Sequence, residues 1–400
     1  MLKTVTRGIF KSNSKDSSDF TERILKAYYN NQKPPERDQV EDSLNSSYIN
    51  NQQDTNKIYS QFTEKDELGI KSKNQVSKDS KIIEKSVKTP QIISIGGGKG
   101  GIGKSFLSAN ICVRLASLGY KVSVVDLDLG AANLHTCLGV PTPRSGISDF
   151  IHGNVNTLEE TGISCCYPNL TLYGGGQEFW QQIKPQSSQK IKLISKLQEL
   201  DADYVFLDLG AGTHIHTLDF FIFSHGGVLV VAPEPTSIEN AYVFMKSVLY
   251  RKIQSICKAF EIEESLENDL LKKISSPKSS ETPFSQLVSF SQKNKEVGKQ
   301  IKDMIEATNI GIIMNQVRTK EDRDLGESMS VICNRYFGFS SQFLGSTRYD
   351  DAVWKSVRIR RPLILDYPLS AIAVNINQIT DRIIKMFIQE GKKNKIEKAG

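Results

Sequence analysis

The stretch IISIGGGKGGIGKS, residues 92–105, decides the fold of this chain. Its first residues form a short apolar run that is typical of a buried strand, and a glycine-rich turn follows. The apolar residues after the turn recur at a spacing that suits a helix covering a sheet. A strand, a glycine-rich turn and a helix in this order make a phosphate-binding loop, and the pattern G-x-x-x-x-G-K-S/T is met by Gly98, Gly103, Lys104 and Ser105.

Each residue type in the loop has a mechanical reason to be there. Glycines allow backbone amides to turn toward phosphate groups, because a Cβ would obstruct that approach. The start of the helix adds unpaired amides and the positive end of its dipole. Lys104 is predicted to reach the β- and γ-phosphates of ATP, and the Ser105 hydroxyl to bind Mg²⁺. The predicted nucleotide-binding residues of this stretch are Gly98, Lys99, Gly100, Gly101, Ile102, Gly103, Lys104, Ser105 and Phe106. A turn that merely joins a strand to a helix is the weaker alternative, because apolar segments of the right kind flank the loop.

A second lysine stands near the start of the loop, where an ordinary phosphate loop does not need one. The run KGGIGKS, residues 99–105, resembles the deviant Walker A motif of the MinD/ParA family of ATPases. In that family the early lysine reaches across a nucleotide-sandwich dimer to the partner's ATP. The resemblance therefore implies an ATP-dependent homodimer in which Lys99 and Lys104 both serve catalysis. A solvated loop lysine is the alternative for Lys99.

Two later apolar runs end in acidic residues. Residues 121–134 place Asp126 and Asp128 at the carboxyl end of a predicted strand, where open α/β sheets bind their ligands. Residues 204–208 end in Asp208, which is the Walker B arrangement of a buried strand that delivers one carboxylate to Mg²⁺. The first run is similar to the D-x-D-x-G-x-x-N-L switch I motif of the MinD family. That resemblance assigns Asp128 to orienting the attacking water and Asp126 to the Mg²⁺ shell, with solvated loop acids as the alternative. The predicted metal set is Ser105, Asp126 and Asp208.

Further segments carry the resemblance along the chain. The loop 210–212, GAG, is like the family's switch II, and residues 350–362 are similar to the D-x-x-V-x-x-A/S-V-x-x-R-x-P tail of the family. The run PEPTSIENAY, residues 233–242, resembles the P-E-P-T-S-x-x-(D/N)-A-Y segment of the FlhG branch. Its prolines are expected to leave a strand, and Ser237 is expected to cap the next helix. The resemblance also assigns Asn315, at the end of a later strand, to the adenine base.

The FlhG branch implies a cellular role as well as a chemistry. The expected function is an ATPase, dimerising with ATP and hydrolysing it to ADP and phosphate, that regulates the placement or number of a cellular structure, flagella above all. An FlhF-like GTPase or flagellar switch proteins are the partners this implies. A ParA-like partition ATPase that binds DNA is the alternative.

Strand and helix segments alternate from residue 91 to residue 390. This alternation predicts an α/β fold, a doubly wound and mostly parallel P-loop NTPase sheet with helices on both faces. The polar segment 261–300 interrupts it and is predicted to be a helical hairpin or a surface insertion. Residues 1–90 are rich in Ser, Asn, Gln and Lys, so we expect a low-complexity, largely disordered arm. Residues 391–400 form a basic tail.

The net charge of +6 resides at the two ends of the chain. Residues 1–90 hold 16 Lys and Arg against 13 Asp and Glu, and residues 391–400 hold four against one. Residues 91–390 hold 31 of each sign, so the expected domain is neutral. Because nucleic-acid binding depends on a basic face, this balance argues against a nucleic-acid partner.

Cysteine spacing and hydropathy exclude other classes of protein. The six cysteines form no C-x-x-C pair, which argues against a zinc site and against an iron–sulfur carrier of the Mrp type. No apolar run reaches about eighteen residues, and we expect a cytoplasmic protein. MinD and FlhG are commonly held on membranes by a C-terminal amphipathic helix. The stripe Ile372, Ile376, Ile379, Ile383 and Phe387 nevertheless favours a core helix, with peripheral attachment to the inner face of the cell membrane as the alternative.

Overall fold

The computed structural model of the chain describes residues 89–128, 132–174, 187–275 and 281–389. The predicted arm lies outside the described residues except for its last two positions, and the basic tail 391–400 lies outside them entirely. The strands in these ranges are β1 (Gln91–Gly96), β2 (Val122–Leu127), β3 (Gly162–Ser164), β4 (Leu170–Tyr173), β5 (Tyr204–Leu209), β6 (Gly226–Val231), β7 (Asn309–Val317) and β8 (Ser340–Arg348). The helices are α1 (Lys104–Ser117), α2 (Leu134–Leu138), α3 (Ile147–His152), α4 (Ser187–Glu199), α5 (Ile215–Phe223), α6 (Pro235–Ala259), α7 (Glu264–Ser275), α8 (Pro283–Lys293), α9 (Lys295–Glu306), α10 (Lys320–Phe337), α11 (Asp351–Arg358), α12 (Leu363–Asp366) and α13 (Ala371–Ile383).

The strands form one twisted sheet in the order β3-β4-β2-β5-β1-β6-β7-β8. All neighbouring strands run parallel except β3 and β4, which are antiparallel. Every residue of β2, β5 and β6 is buried, because helices cover a parallel sheet on both faces. The predicted doubly wound architecture is confirmed, and the strand before the phosphate loop lies between β5 and β6 near the middle of the sheet.

Each face of the sheet has its own apolar core. Helices α1 and α13 pack on one face, whereas α4, α5, α6 and α10 pack on the other. The predicted stripe of the last helix is buried in the first of these cores, with exposures of 0% for Ile376 and Ile383 and 5% for Phe387. This stripe therefore forms part of the core, as the sequence favours. Among the described residues, no helix combines the length and the apolar character that crossing a membrane requires.

The polar segment 261–300 contributes to the core as well as to the surface. It forms α7 and α8 and the first half of α9. Leu287 and Phe290 of α8 are buried in the same apolar cluster as the side chains of α6. The Thr282 hydroxyl caps α8 by accepting a hydrogen bond from the Ser285 amide at 3.1 Å. The segment is thus a helical extension packed against α6 and α10.

A buried cluster of charged groups joins helices α4, α5 and α6. The Asp219 carboxylate on α5 accepts from Lys190 Nζ of α4 at 2.9 Å and from Arg251 Nε of α6 at 2.6 Å. The Asp219 and Lys190 side chains are each 5% exposed. One carboxylate therefore compensates two cations that have little contact with water.

Asp219→Asn is expected to lower the free energy of unfolding by about 3 kcal/mol, because it leaves Lys190 and Arg251 buried without a counter-charge. Urea unfolding followed by circular dichroism measures the change. Asp201→Asn is the matched control, since the Asp201 side chain is 91% exposed in its ion pair with Lys121 and should change stability by less than about 0.5 kcal/mol. Equal effects of the two substitutions would show that the buried cluster does not hold these helices together.

Candidate functional site

The loop after β1 ends in a helix start that is open to a ligand. Gly103 precedes α1 with φ 89°, in the left-handed region that glycine favours, and provides no side-chain cap. The first amides of a helix have no partners within the helix, so an uncapped start leaves donors and a positive dipole end. A phosphate group is the ligand that such a start accommodates.

The loop is packed so closely that glycine is required within it. A Cβ placed on Gly98 would lie 2.1 Å from the carbonyl oxygen of Asn240, in the second turn of α6. Gly100 and Gly101, at the tip, have nothing within 4 Å of an added Cβ. The start of the loop is therefore fixed against α6, whereas its tip faces open space.

Lys104 is the cation at the centre of the site. It is 6% exposed, and its Nζ lies 3.4 Å from the carbonyl oxygen of Lys99. Burial lowers the pKa of Lys104, and the negative charges of Asp208 and Asp128 partly offset this effect. A buried cation beside a loop of free amides forms a strong site for a phosphate anion.

The three predicted aspartates meet at the ends of β2 and β5. Asp126 and Asp208 are partners in the strand register, and Asp208 is fully buried. One Asp208 oxygen accepts a hydrogen bond from Ser108 Oγ at 2.8 Å, while the other is buried without a hydrogen bond. Burial raises the pKa of Asp208 to about 6, against the lowering effects of the Ser105 and Ser108 hydroxyls and of Lys104.

The Asp126 side chain holds two backbone amides of the segment that resembles switch I. The two oxygens of Asp126 accept backbone hydrogen bonds from Asp128 and from Leu134, each at 3.1 Å. Burial, followed by the charge of Asp208, raises the pKa of Asp126 well above its ordinary value. Asp128 lies against the segment that resembles switch II, because a Cβ on Gly210 would be 3.0 Å from Asp128 Oδ1. The predicted switch segments therefore touch through Asp128.

The residues present fit a magnesium ion bound together with a nucleotide. The buried Asp208 oxygen that lacks a hydrogen bond is a suitable ligand, and the Ser105 hydroxyl lies close enough to lower the pKa of that carboxyl group. No group of three His, Cys, Asp or Glu side chains in the described part of the chain is arranged to hold a metal ion. Nucleotide-bound Mg²⁺ takes most of its ligands from phosphates and water.

Two side chains at the end of β7 contact carbonyl oxygens of the phosphate loop, and the sequence does not indicate these contacts. Asn315 is 4% exposed, and its Nδ2 donates to the carbonyl oxygen of Ile102 at 2.6 Å. Its Oδ1 accepts from the Thr347 hydroxyl. Gln316 adopts φ 63°, and its Nε2 lies 3.4 Å from the Gly101 carbonyl oxygen. The Asn315 amide is therefore engaged with the phosphate loop, and its contact with adenine stays a prediction.

Lys99 also has partners that the sequence does not reveal. Its Nζ donates to Glu234 Oε2 at 2.7 Å and to Thr236 Oγ1 at 2.9 Å, both at the start of α6. The expectation that Ser237 caps this helix is wrong. Glu234 occupies the cap position, while the Ser237 hydroxyl accepts from the Ala232 amide at 3.0 Å and fixes the turn that leads into the helix.

The sheet order, the open helix start behind a buried lysine and the strand-end aspartates together define a nucleotide-binding protein of the phosphate-loop class. Sequence comparison gives the family. Residues 93–363 match the model of the CobQ/CobB/MinD/ParA nucleotide binding domain, and the chain belongs to that family.

Similar proteins include an antiactivator, a flagellum site-determining protein and a septum site-determining protein of known structure. The antiactivator FleN of Pseudomonas aeruginosa is 23% identical over 73% of this chain and 86% of its own length. The flagellum site-determining protein YlxH of Helicobacter pylori is 35% identical, over 39% of this chain and 53% of YlxH. The structure of the septum site-determining protein MinD of Pyrococcus horikoshii was solved with Mg-ADP. Its alignment with this chain covers 74% of this chain and 96% of the MinD chain, at 21% identity and a TM-score of 0.50. The structural likeness establishes the fold.

Proposed function

We propose that this protein is an ATP-dependent dimerising switch ATPase of the MinD/FlhG type. The observation that carries the proposal is the presence of two lysines in one phosphate loop with different surroundings. Lys104 is buried beside the strand-end aspartates, whereas the Lys99 side chain is 35% exposed at the outer part of the loop. The partly exposed Lys99, although it contacts Glu234 and Thr236 in the single subunit, lies where a partner's nucleotide would reach it. The similarity to YlxH, a flagellum site-determining protein, supports a role in the placement or number of flagella.

Each residue of the site has its own role in the proposed ATP binding and hydrolysis. Lys104 and the loop amides bind the β- and γ-phosphates of ATP, and Ser105 and Asp208 hold Mg²⁺, which neutralises phosphate charge when bound. Asp126 would contribute to the Mg²⁺ shell, and it keeps Asp128 in place by accepting a hydrogen bond from its backbone amide. Asp128 orients the attacking water, and Lys99 acts on the ATP of the partner subunit. Catalysis is therefore positioning and electrostatic stabilisation.

The proposed partners and cellular location are those that the FlhG branch of the family implies. An FlhF-like GTPase or flagellar switch proteins would recognise the ATP-bound dimer in the cytoplasm. Peripheral attachment to the inner face of the membrane is not favoured, because the apolar stripe of α13 is already buried in the core. Co-purification of candidate flagellar proteins with the ATP-bound and ADP-bound protein tests this part of the proposal.

Asp128→Ala tests the hydrolysis step. The variant should bind ATP with an affinity close to that of the unchanged protein, because Asp128 is not among the residues that hold the phosphates. Turnover should fall by a factor of about 100 or more, since the water is no longer positioned. Phosphate release with saturating ATP and Mg²⁺ measures this, and Asp201→Asn, at an exposed acid away from the loop, is the control. Normal turnover in Asp128→Ala would remove the switch I assignment.

A ParA-like protein that binds DNA is the second candidate, and one observation favours it. A cavity of about 550 Å³ beyond the end of β8 is lined by Arg318, Lys320, Arg323 and Arg348. These cations could contact phosphates of a duplex. Fluorescence anisotropy with a labelled DNA duplex at 150 mM salt, with ATP or ADP, separates the two functions. The switch proposal predicts no ATP-dependent binding, and ATP-dependent binding that Arg323→Glu removes would favour the partition function.

A further inference from the structure

A serine outside the phosphate-loop motif contacts the carboxylate at the end of β5. Ser108 lies on α1 one turn after Ser105, so the two serines share one face of the helix. Ser108 Oγ donates a hydrogen bond of 2.8 Å to Asp208 Oδ1, and both residues are fully buried. The motif G-x-x-x-x-G-K-S/T ends at Ser105, so the sequence pattern gives Ser108 no role.

The two oxygens of Asp208 have different surroundings. Oδ1 accepts the hydrogen bond from Ser108, whereas Oδ2 is buried and has no hydrogen-bond partner in the part of the chain that the structure describes. Most buried polar atoms of native proteins have a partner, so an exception such as Oδ2 requires an explanation. A cation that binds at Oδ2 supplies one. Oδ2 is therefore the oxygen of Asp208 that is open to Mg²⁺.

The orientation of this carboxylate depends on its hydrogen bond. Rotation about χ2 of an aspartate has broad, roughly two-fold minima, so the backbone of β5 does not by itself decide which oxygen faces the ligand. Turning the Asp208 carboxylate away from Ser108 would leave Oδ1 buried without a partner, which is unfavourable. The Ser108 hydroxyl thus fixes the carboxylate plane and leaves Oδ2 free.

We propose that Ser108 is a positioning residue for the Mg²⁺ ligand Asp208. Its hydroxyl keeps Oδ1 engaged, so that Oδ2 is already oriented when a nucleotide arrives with its metal ion. The inference rests on the proposed function, because it requires that Asp208 helps to bind Mg²⁺ together with a nucleotide. Ser108 then sets the affinity for the metal ion without touching either the metal or the nucleotide.

Metal affinity of the nucleotide-bound protein tests this role without any turnover. The probe is Mn²⁺, which suits the same oxygen ligands as Mg²⁺ and whose free concentration is measured by electron paramagnetic resonance. The titration is made with ADP and an excess of protein. We expect Ser108→Ala to raise the Mn²⁺ dissociation constant by about 10- to 100-fold, the usual effect of removing a group that orients a metal ligand.

ADP affinity and a second buried serine provide the controls. Binding of a fluorescent ADP analogue in EDTA should be the same in Ser108→Ala and the unchanged protein, because the loop amides and Lys104 hold the phosphates. Ser247 is a matched residue on α6, 1% exposed, and its Oγ donates to the Val243 carbonyl oxygen at 2.8 Å. Ser247→Ala should leave the Mn²⁺ dissociation constant unchanged.

Two further variants separate positioning from packing. Ser108→Thr keeps the hydroxyl and should bind Mn²⁺ as the unchanged protein does, whereas a loss as large as that of Ser108→Ala would assign the effect to packing and overturn the proposal. Because Ser108 acts through Asp208, adding Ser108→Ala to Asp208→Asn should cause no further loss of Mn²⁺ affinity. Losses that add in the double variant would overturn the proposal as well. Ser108→Cys, with its weak donor, replaces Ser108→Ala if the alanine variant does not fold, and should also bind Mn²⁺ more weakly.

The remaining outcomes distinguish this inference from the proposed function. If Asp208→Asn weakens Mn²⁺ binding and a folded Ser108→Ala does not, the positioning role is wrong although the nucleotide function stands. If ADP affinity in EDTA falls in Ser108→Ala as much as Mn²⁺ affinity does, Ser108 acts on the phosphate loop and the proposal fails. An unchanged protein that binds no ADP, with or without metal, overturns the proposed function and the positioning role together.

Discussion

Lys104→Ala is expected to abolish ATP binding, with a dissociation constant raised by a factor of about 1000 or more. The substitution removes the buried cation beside the loop amides, and charge-assisted contacts to phosphate in such surroundings are among the stronger polar interactions in proteins. A factor of 1000 corresponds to about 4 kcal/mol. Equilibrium titration with a fluorescent ATP analogue in the presence of Mg²⁺ measures the loss.

The variant should remain folded, which makes the measurement interpretable. Because burial lowers the pKa of Lys104, the folded state disfavours its charged form, and a neutral side chain removes that cost. Urea unfolding of the nucleotide-free protein is the control and should show no large loss of stability. A folded variant that binds ATP with undiminished affinity would mean that the loop after β1 is not the nucleotide site.

Lys99→Ala is expected to act on the dimer and to spare the monomer. In the single subunit Lys99 contacts Glu234 and Thr236 at the start of α6, so its removal should change intrinsic ATP affinity by less than about three-fold. In the dimer the lysine would lie on the partner's ATP in a site shielded from water. Removing one member of such a charge pair costs about 4 kcal/mol, and a symmetric dimer loses two such pairs, so the dimer dissociation constant should rise by a factor of at least about 1000.

Sedimentation velocity over a concentration series, in the Asp128→Ala background with ATP and Mg²⁺, measures this second effect. Asp201→Asn in the same background controls for the loss of a charged surface side chain. If the dimer persists at the same concentrations without Lys99, the lysine does not act across the interface. If Lys99→Ala alone impairs ATP binding by the monomer, Lys99 acts on the nucleotide of its own subunit.

The sequence predicts the local parts of the site because they depend on short-range patterns. The glycine run, Lys104 and Ser105 lie within a few positions of one another, and one helix start brings them together. Asp126 and Asp208 are also predictable, since parallel strands bring their carboxyl ends to one edge of the sheet. These residues need only the correct identification of strands and helices.

The contacts of Lys99 and Asn315 could not be predicted in the same way. Lys99 meets Glu234 because β6 lies next to β1, and Asn315 reaches Ile102 because β7 is the following strand. Each contact depends on strand order and on side-chain direction, which periodicity in a single sequence does not contain. The Ser237 cap was predicted wrongly because a serine near a helix start can also serve the preceding turn.

The segment 261–300 shows that average composition is a poor guide to where a segment packs. Its average composition is polar, which suggested a hairpin or a surface insertion. Average polarity conceals helical spacing, and Leu270 and Ile274 of α7 and Leu287 and Phe290 of α8 are buried. The position of these helices against α6 and α10 follows from that spacing and not from the overall composition.

Static light scattering coupled to size-exclusion chromatography tests the central claim, an ATP-dependent dimer, most directly. The Asp128→Ala protein is compared with ATP and Mg²⁺, with ADP and Mg²⁺, and without nucleotide. An ATP-dependent dimer has twice the chain mass of 44.7 kDa with ATP, and the mass of a single chain with ADP or without nucleotide. A single-chain mass in all three conditions, or a dimer that forms equally well without ATP, would contradict it.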